Sequence, residues 1–423
     1  AISYFKLRGS YAKVGSTAVN STISSAAVLS GSGLGYGADY TTPYGGPSYK
    51  NISSYNVSPI YNNQPGATYT AILTNPDLEP SFSSAYETGA ELKFFRNRLG
   101  VEATYFNCLD GPRIFELPLS QATGYNYLLT NGIKSRRTGW ELTLSGSPLR
   151  RTNFNWDVMV NWSTYKEVLT EIYPGIETLD QFFKVGDRLD KLYTSAFVRT
   201  KDGQVINDAS GRPIQNPVSR YLGNMNPDWS WSINNRFNYK QFTFGFQFDG
   251  RVGGKMVDYV LRQTMRGGRH IATIQGDMGV ARANDIKGIK SYVGQGVVVA
   301  NGATINYDVD GNITNYDQLA FAANTTPTFL QDYISRYNGI SEGNLIDKTY
   351  AKLREVTIGF NLPKSFLNRM SIQRASITLV GRNLLYFAKV KDIDLDQFPG
   401  MTSQSSLQTP TSKSYGVNLN ITF

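Results

Sequence analysis

Apolar and polar residues alternate at every second position in long runs along this chain. The final nine residues, 415 to 423, read Tyr-Gly-Val-Asn-Leu-Asn-Ile-Thr-Phe. Alternation of this kind is a β-strand with one apolar and one polar face. Phe5, Leu7 and Tyr11 alternate with Lys6, Arg8 and Ser10, and Tyr86, Ala90 and Leu92 with Glu87, Gly89 and Glu91. Phe242, Phe244, Phe246 and Phe248 oppose Gly245, Gln247 and Asp249. The pattern predicts strands over 2–14, 83–95, 99–109, 127–146, 154–165, 229–239, 242–250, 348–361, 374–388 and 412–423.

The connections between these strands differ in length in a regular order. Short turns fall near residues 96, 149, 240 and 367, and long loops near 50, 118, 200, 300 and 400. If the first strand runs outward, every long loop lies at one end of the sheet. A β-sandwich has no reason to keep that order, whereas outer-membrane barrels have short turns on one side and long loops on the other. Four Phe at period two would be an aggregation hazard in water, and lipid removes the conflict. The expected fold class is therefore all-β, a transmembrane antiparallel β-barrel with long extracellular loops at 15–81, 166–228 and 251–344. The lumen-facing candidates are Glu87, Glu91, Glu102, Glu141 and Asp157. The lipid face takes the four Phe together with Tyr415, Val417, Leu419, Ile421 and the terminal Phe423. An open ten-stranded sheet would leave bare edges in hydrocarbon, so further strands are expected from outside this sequence.

Composition changes this picture little. The chain has 423 residues, 40% of them hydrophobic, and its mean hydropathy is −0.32. No run reaches the roughly 18 apolar residues of a transmembrane helix, which leaves a barrel untouched. Aromatics make up 13%, with 27 Tyr, 22 Phe and 5 Trp, an excess that suits interfacial girdles. Alone it would equally suit a sugar-binding surface, and loop residues Tyr36, Tyr40, Tyr44, Tyr49 and Tyr55 could stack on sugar rings, on a partner or on one another. The net charge is +9, but Lys and Arg are scattered through turns and strand ends, so no nucleic-acid partner is expected. Residue 1 lies inside a strand-like run with no signal peptide, and a fragment of a longer chain is expected.

Candidate chemistry is sparse. The single Cys, Cys108, excludes an intrachain disulfide and reads as a small apolar residue at a strand end. The single His, His270, sits in the longest loop without a nucleophile motif, so no catalytic residue is assigned. Asp308-Val309-Asp310-Gly311-Asn312 resembles the start of a calcium loop, but the twelfth position, where an EF-hand has Glu, is Leu319. An Asp-Gly turn is the better reading, calcium in an extracellular loop the lesser one, and no cofactor is expected. Gly31 to Gly37 lacks the strand-helix context and Lys of a phosphate loop and reads as flexible loop.

Six segments resemble conserved strands of SusC/RagA-like TonB-dependent transporters. They are FKLRGSYAKVG (5–15), NPDLEPSFSSAYETGAEL (75–92), NGIKSRRTGWELTLSGSPL (131–149), KTYAKLREVTIGFNLPKSFLNR (348–369), ASITLVGRNLLYF (375–387) and SYGVNLNITF (414–423). The ending also resembles the C-terminal assembly signal of outer-membrane barrels, which would comprise Tyr415, Val417, Leu419, Ile421 and Phe423. The resemblance implies an outer-membrane importer of Bacteroidota that takes up oligosaccharides or peptides and is not an enzyme. It implies a SusD-like surface lipoprotein as partner, and a TonB complex acting through an N-terminal plug. No plug, TonB-contacting segment or first half of a barrel is legible here. Residues 1–423 are thus expected to form about the last ten strands of a barrel of about 22. Two other readings remain at this point: a barrel acting as a structural anchor in a larger outer-membrane assembly, and a soluble β-rich glycan-binding protein.

Overall fold

A computed structural model describes residues 2–16, 55–61, 64–179, 182–368 and 372–423. The glycine-rich stretch 31–37 and the loop residues Tyr36, Tyr40, Tyr44 and Tyr49 lie outside them. The period-two runs form ten long strands: β1 (Ile2–Ser16), β2 (Ser81–Phe94), β3 (Leu99–Gly111), β4 (Lys134–Arg151), β5 (Phe154–Ser163), β6 (Trp229–Tyr239), β7 (Phe242–Val252), β8 (Tyr350–Asn361), β9 (Arg374–Ala388) and β10 (Ser414–Thr422). Each pairs antiparallel with the next, so sheet order equals chain order. An eleventh, short strand, Lys166–Glu171, pairs with the loop end of β4. Among the described residues the sheet is open: β10 pairs with β9 alone and β1 with β2 alone.

Two boundaries depart from the sequence pattern. The strand expected over 127–146 is two strands. Tyr127–Gly132 pairs with Arg113–Pro118 in a side hairpin, and β4 begins only after Ile133. Ile133 has φ 44°, a left-handed conformation that a β-branched side chain rarely adopts, and it is fully buried. Its N–H donates to the Ile172 carbonyl and its carbonyl accepts from Arg113 N–H, so tertiary hydrogen bonds offset the local cost. At its other end β4 continues to Arg151, which moves the turn expected near 149 to Thr152 and Asn153. The long region after β7 is not irregular either. It holds three helices, α1 (Tyr259–Arg266), α2 (Gly276–Asp285) and α3 (Leu330–Tyr337).

The protein's buried apolar core lies mainly in the loops. One cluster joins Phe115, Ile133, Leu169, Ile172, Phe183 and Leu189; another joins Met256, Ile346, Tyr350, Ile393, Leu395 and Phe398. A third packs α1, α2 and α3 through Met265, Ala281, Leu330 and Ile334. A single-layer sheet has no second protein layer on which to bury a face. Its apolar side chains stay exposed, as at Leu7 (69%), Leu379 (52%) and Leu419 (60%). Cross-loop bonds tie the loops together. The Lys348 ammonium donates to the Met225 and Gly400 carbonyls at 3.0 and 2.9 Å, and Glu342 accepts from Phe197 N–H at 2.7 Å.

Candidate functional site

The register separates the sheet into two continuous faces. On one, Leu92 opposes Val101, which opposes Leu144, then Val160, Ile233 and Phe248. The same face continues through Phe244, Ile358, Leu379 and Val417, with Tyr415, Leu419 and Ile421 beside it. Phe423 lies one residue past the end of β10. Aromatic rows flank this face. Toward the loops stand Tyr11 against Tyr86 (4.8 Å) and Tyr105 against Trp140 (5.0 Å), followed by Trp162 opposite Trp231. Toward the turns stand Phe154, Tyr239, and Phe242 against Phe360 (5.0 Å). Phe154 and Trp162 are eight residues apart on one strand, about 26 Å at the usual rise, the order of the ~25 Å apolar band between the girdles of outer-membrane barrels.

The other face is polar, and the register puts Glu87, Glu91, Glu102, Glu141 and Asp157 on it. A polar row crosses the sheet: Glu91, Glu102, Thr143, Asn161, Ser232, Asp249 and Lys352 oppose one another in turn. Asn161 carries its centre, accepting from the Thr143 hydroxyl at 2.9 Å and donating to Ser232 at 3.0 Å. Glu91 and Glu102 face each other across β2 and β3, and like charges there need cations. Lys93 meets Glu91 at 3.0 Å, and Arg8 meets Glu102. Arg8 reaches that far because Gly89 lies under it: a Cβ at Gly89 would stand 2.7 Å from Arg8 Nε. Asp157 accepts from Ser147. Glu87 and Glu141 are exposed and have no side-chain hydrogen bond or ion pair among the described residues.

Over β7 to β9 the polar face carries a different arrangement, absent from the candidates read off the sequence. Loop 389–413 folds onto the strands through Asp394 and Asp396. Lys352, 3% exposed in its side chain, meets Asp394 at 2.8 Å and Asp396 at 3.4 Å. Arg354 bridges Asp249 and Asp396, and the Tyr350 hydroxyl donates to Asp396 at 2.8 Å. Burial alone would raise the Asp396 carboxyl. Hydrogen bonds from Arg354 and Tyr350, with the Arg354 and Lys352 charges, instead hold it well below the usual carboxylate range. Lys348, 1% exposed, is pushed down to about 8, first by burial and then by the Arg251 charge, against the opposing pull of Asp190. The one sequence signal for this cluster is the period-two acid run Asp392, Asp394, Asp396.

The remaining candidates have structural positions. Asp308 closes its turn by accepting from Asp310 N–H at 2.9 Å and Asn312 N–H at 2.8 Å. His270 caps the short helix Ile271–Ile274, its Nδ1 accepting from Ala272 N–H. Cys108 lies on the polar face opposite Arg137. Among the described residues no group of three or more His, Cys, Asp or Glu is placed to hold a metal.

No family model matches the chain. It is similar to TonB-dependent receptor P3 of Formosa agariphila, 19% identical over 419 residues, covering 90% of this chain and 37% of that protein. TonB-dependent receptor P39 of the same organism is 22% identical, covering 89% of this chain and 38% of its own length. The chain thus spans under two fifths of these relatives. In fold it is similar to the RagAB peptide transporter, with TM-score 0.61 at 17% identity, covering 100% of this chain and 41% of that one. The RagAB peptide importer in its open-open state gives TM-score 0.63 at 16% identity, over 100% and 40% of the two chains. The similarity in sequence and the similarity in fold each extend over about nine tenths or more of the chain, and both are to part of SusC/RagA-like TonB-dependent receptors, a family of outer-membrane proteins.

Proposed function

We propose that the chain forms the C-terminal part of the wall of an outer-membrane nutrient importer. Its apolar face meets lipid, its polar face lines the lumen, and its loop assembly stands on the cell surface. The observation that carries this reading is the separation of faces: an apolar face framed by two aromatic rows, backed by a polar face running from Glu91 to Lys352. The remaining strands and a plug would come from outside these residues, since the relatives are more than twice as long. A SusD-like surface lipoprotein would cover the loops, and TonB would supply energy through the plug. The substrate class is oligosaccharide or peptide. Glu87 and Glu141, which have no partner among the described residues, are the wall residues most available to a passing solute.

Two experiments test the parts separately. Phe246→Arg, on the apolar face of β7, should cost about 2–4 kcal/mol of stability in bilayers, and Gln247→Arg, at the same depth on the polar face, should cost little. Equal costs would refute the assignment of faces. Deleting the full-length gene should abolish uptake of a labelled oligosaccharide or peptide mixture, with restoration by the wild-type copy. Undiminished uptake of every mixture would leave a structural anchor instead.

A further inference from the structure

A cleft of about 620 Å³ opens at the loop end of the polar face, over β5, β6 and β7. Its floor is the row Ser163, Ser230 and Arg251, which face one another in register. Its rims come from two loops, one at Asn226 and the other at 399–402. The buried Lys348 ammonium staples these rims together by donating to the Met225 and Gly400 carbonyls. Neighbouring carbonyls are taken as well: Arg251 donates to those of Phe398 and Asp396, and the Thr402 hydroxyl to that of Pro399. Asn226 differs. It is 4% exposed, and its Nδ2 is buried with no hydrogen-bond partner among the described residues. A buried donor without a partner is costly, and folded proteins keep few of them.

We propose that this cleft is a solute subsite that takes an amide carbonyl, with Asn226 Nδ2 as its donor. The proposal rests on the import reading, because it puts the subsite where the polar face opens toward the loops. The terminal torsion of an Asn amide is soft, so Nδ2 swings toward a carbonyl in the cleft at little cost. Five carbonyls around the cleft already accept hydrogen bonds from Lys348, Arg251 and Thr402. A group that only accepts therefore fits better than a hydroxyl, whose proton needs an acceptor of its own. A carboxylate fits less well. Arg251 already faces the Asp396 carboxylate at 3.5 Å, and the Asp190 carboxylate accepts from Asn226 N–H at 3.3 Å. Peptides and N-acetylated sugars both carry the amide carbonyl that the cleft calls for.

The test is calorimetric titration of the full-length receptor in detergent with N-acetyltrialaninamide, N-acetylglucosamine and glucose. At least one of the two amide compounds should bind saturably and about fivefold or more tighter than glucose, the size of one neutral hydrogen bond. The compound that binds identifies the source as peptide or N-acetylated sugar. Asn226→Leu removes the donor and should weaken that binding about fivefold, with no loss in thermal midpoint, since no partnered side-chain group is removed. Asn226→Ala should weaken binding equally without a larger side chain to accommodate. The proposal is overturned if neither amide compound binds saturably, if glucose binds as tightly, if both variants bind as the wild type does, or if both unfold at a markedly lower temperature. Uptake by cells separates the two readings. Wild-type cells that import nothing refute the importer, whereas import together with variants that bind like the wild type refutes the subsite alone.

Discussion

The polar face has acids in two settings. On β2 to β4, Glu87, Glu91, Glu102 and Glu141 stand in a single layer of side chains: among the described residues Glu87 and Glu141 have no partner, and Glu91 and Glu102 have half-exposed cations beside them. Over β7 to β9 loop 389–413 brings its own acids, Asp394 and Asp396, down onto the sheet, where they and Asp249 are locked to Lys352, Arg354 and Tyr350. Sequence pattern alone does not distinguish the two, since both are acids at period two. The difference comes from desolvation. An exposed ion pair is screened and contributes little, whereas a covered one becomes costly to break because the surviving charge has no water.

The largest effect is expected at Lys352. Lys352→Met strands Asp394 and leaves Asp396 to Arg354 and Tyr350, and should cost about 3–5 kcal/mol, releasing loop 389–413 to protease. Lys93→Met on the other half should leave the same unfolding assay unchanged, because that pair is screened by water. Similar costs for the two would erase the distinction. Lys348 gives a pH test of the covered side. Its folded value, about 8, lies below the ordinary 10.5, so between these values the unfolded chain binds more protons. Stability of the loop packing should therefore rise as pH increases from about 8 toward 10.5, by about 3 kcal/mol over the whole window. Hydrogen exchange of loop 389–413 measures this, and Lys348→Met should flatten the profile. A fall with pH, or an unchanged profile in the variant, would contradict the burial argument.

A smaller effect is expected where the two halves join. Asn161→Ala removes the link between Thr143 and Ser232 and should cost about 1 kcal/mol, because both hydroxyls can turn to water. The smallest belongs to the two acids with no partner among the described residues. Glu87→Gln and Glu141→Gln should leave stability within about 0.5 kcal/mol while changing uptake of cationic relative to neutral substrate. A large stability loss in either would mean that these acids are structural too.

What the sequence by itself determined is the wall. Period two is a local property: each strand's two faces are written in its own residues, and the alternation of short and long connections follows from their spacing. The ten strands, their order and the shared face of Glu87, Glu91, Glu102, Glu141 and Asp157 were legible for that reason. Tertiary structure alone decided the rest. The turn at Ile133 exists because hydrogen bonds from distant Arg113 and to distant Ile172 hold a β-branched residue in an unfavourable conformation. α1 to α3 are each ten residues or fewer, too short to stand without the core they share. The lock between Lys352 and Asp394 joins residues 42 apart, and the ring contact of Phe197 with Tyr337 joins residues farther apart still. Such contacts depend on which loops fold over which strands, and no local pattern of residues records that.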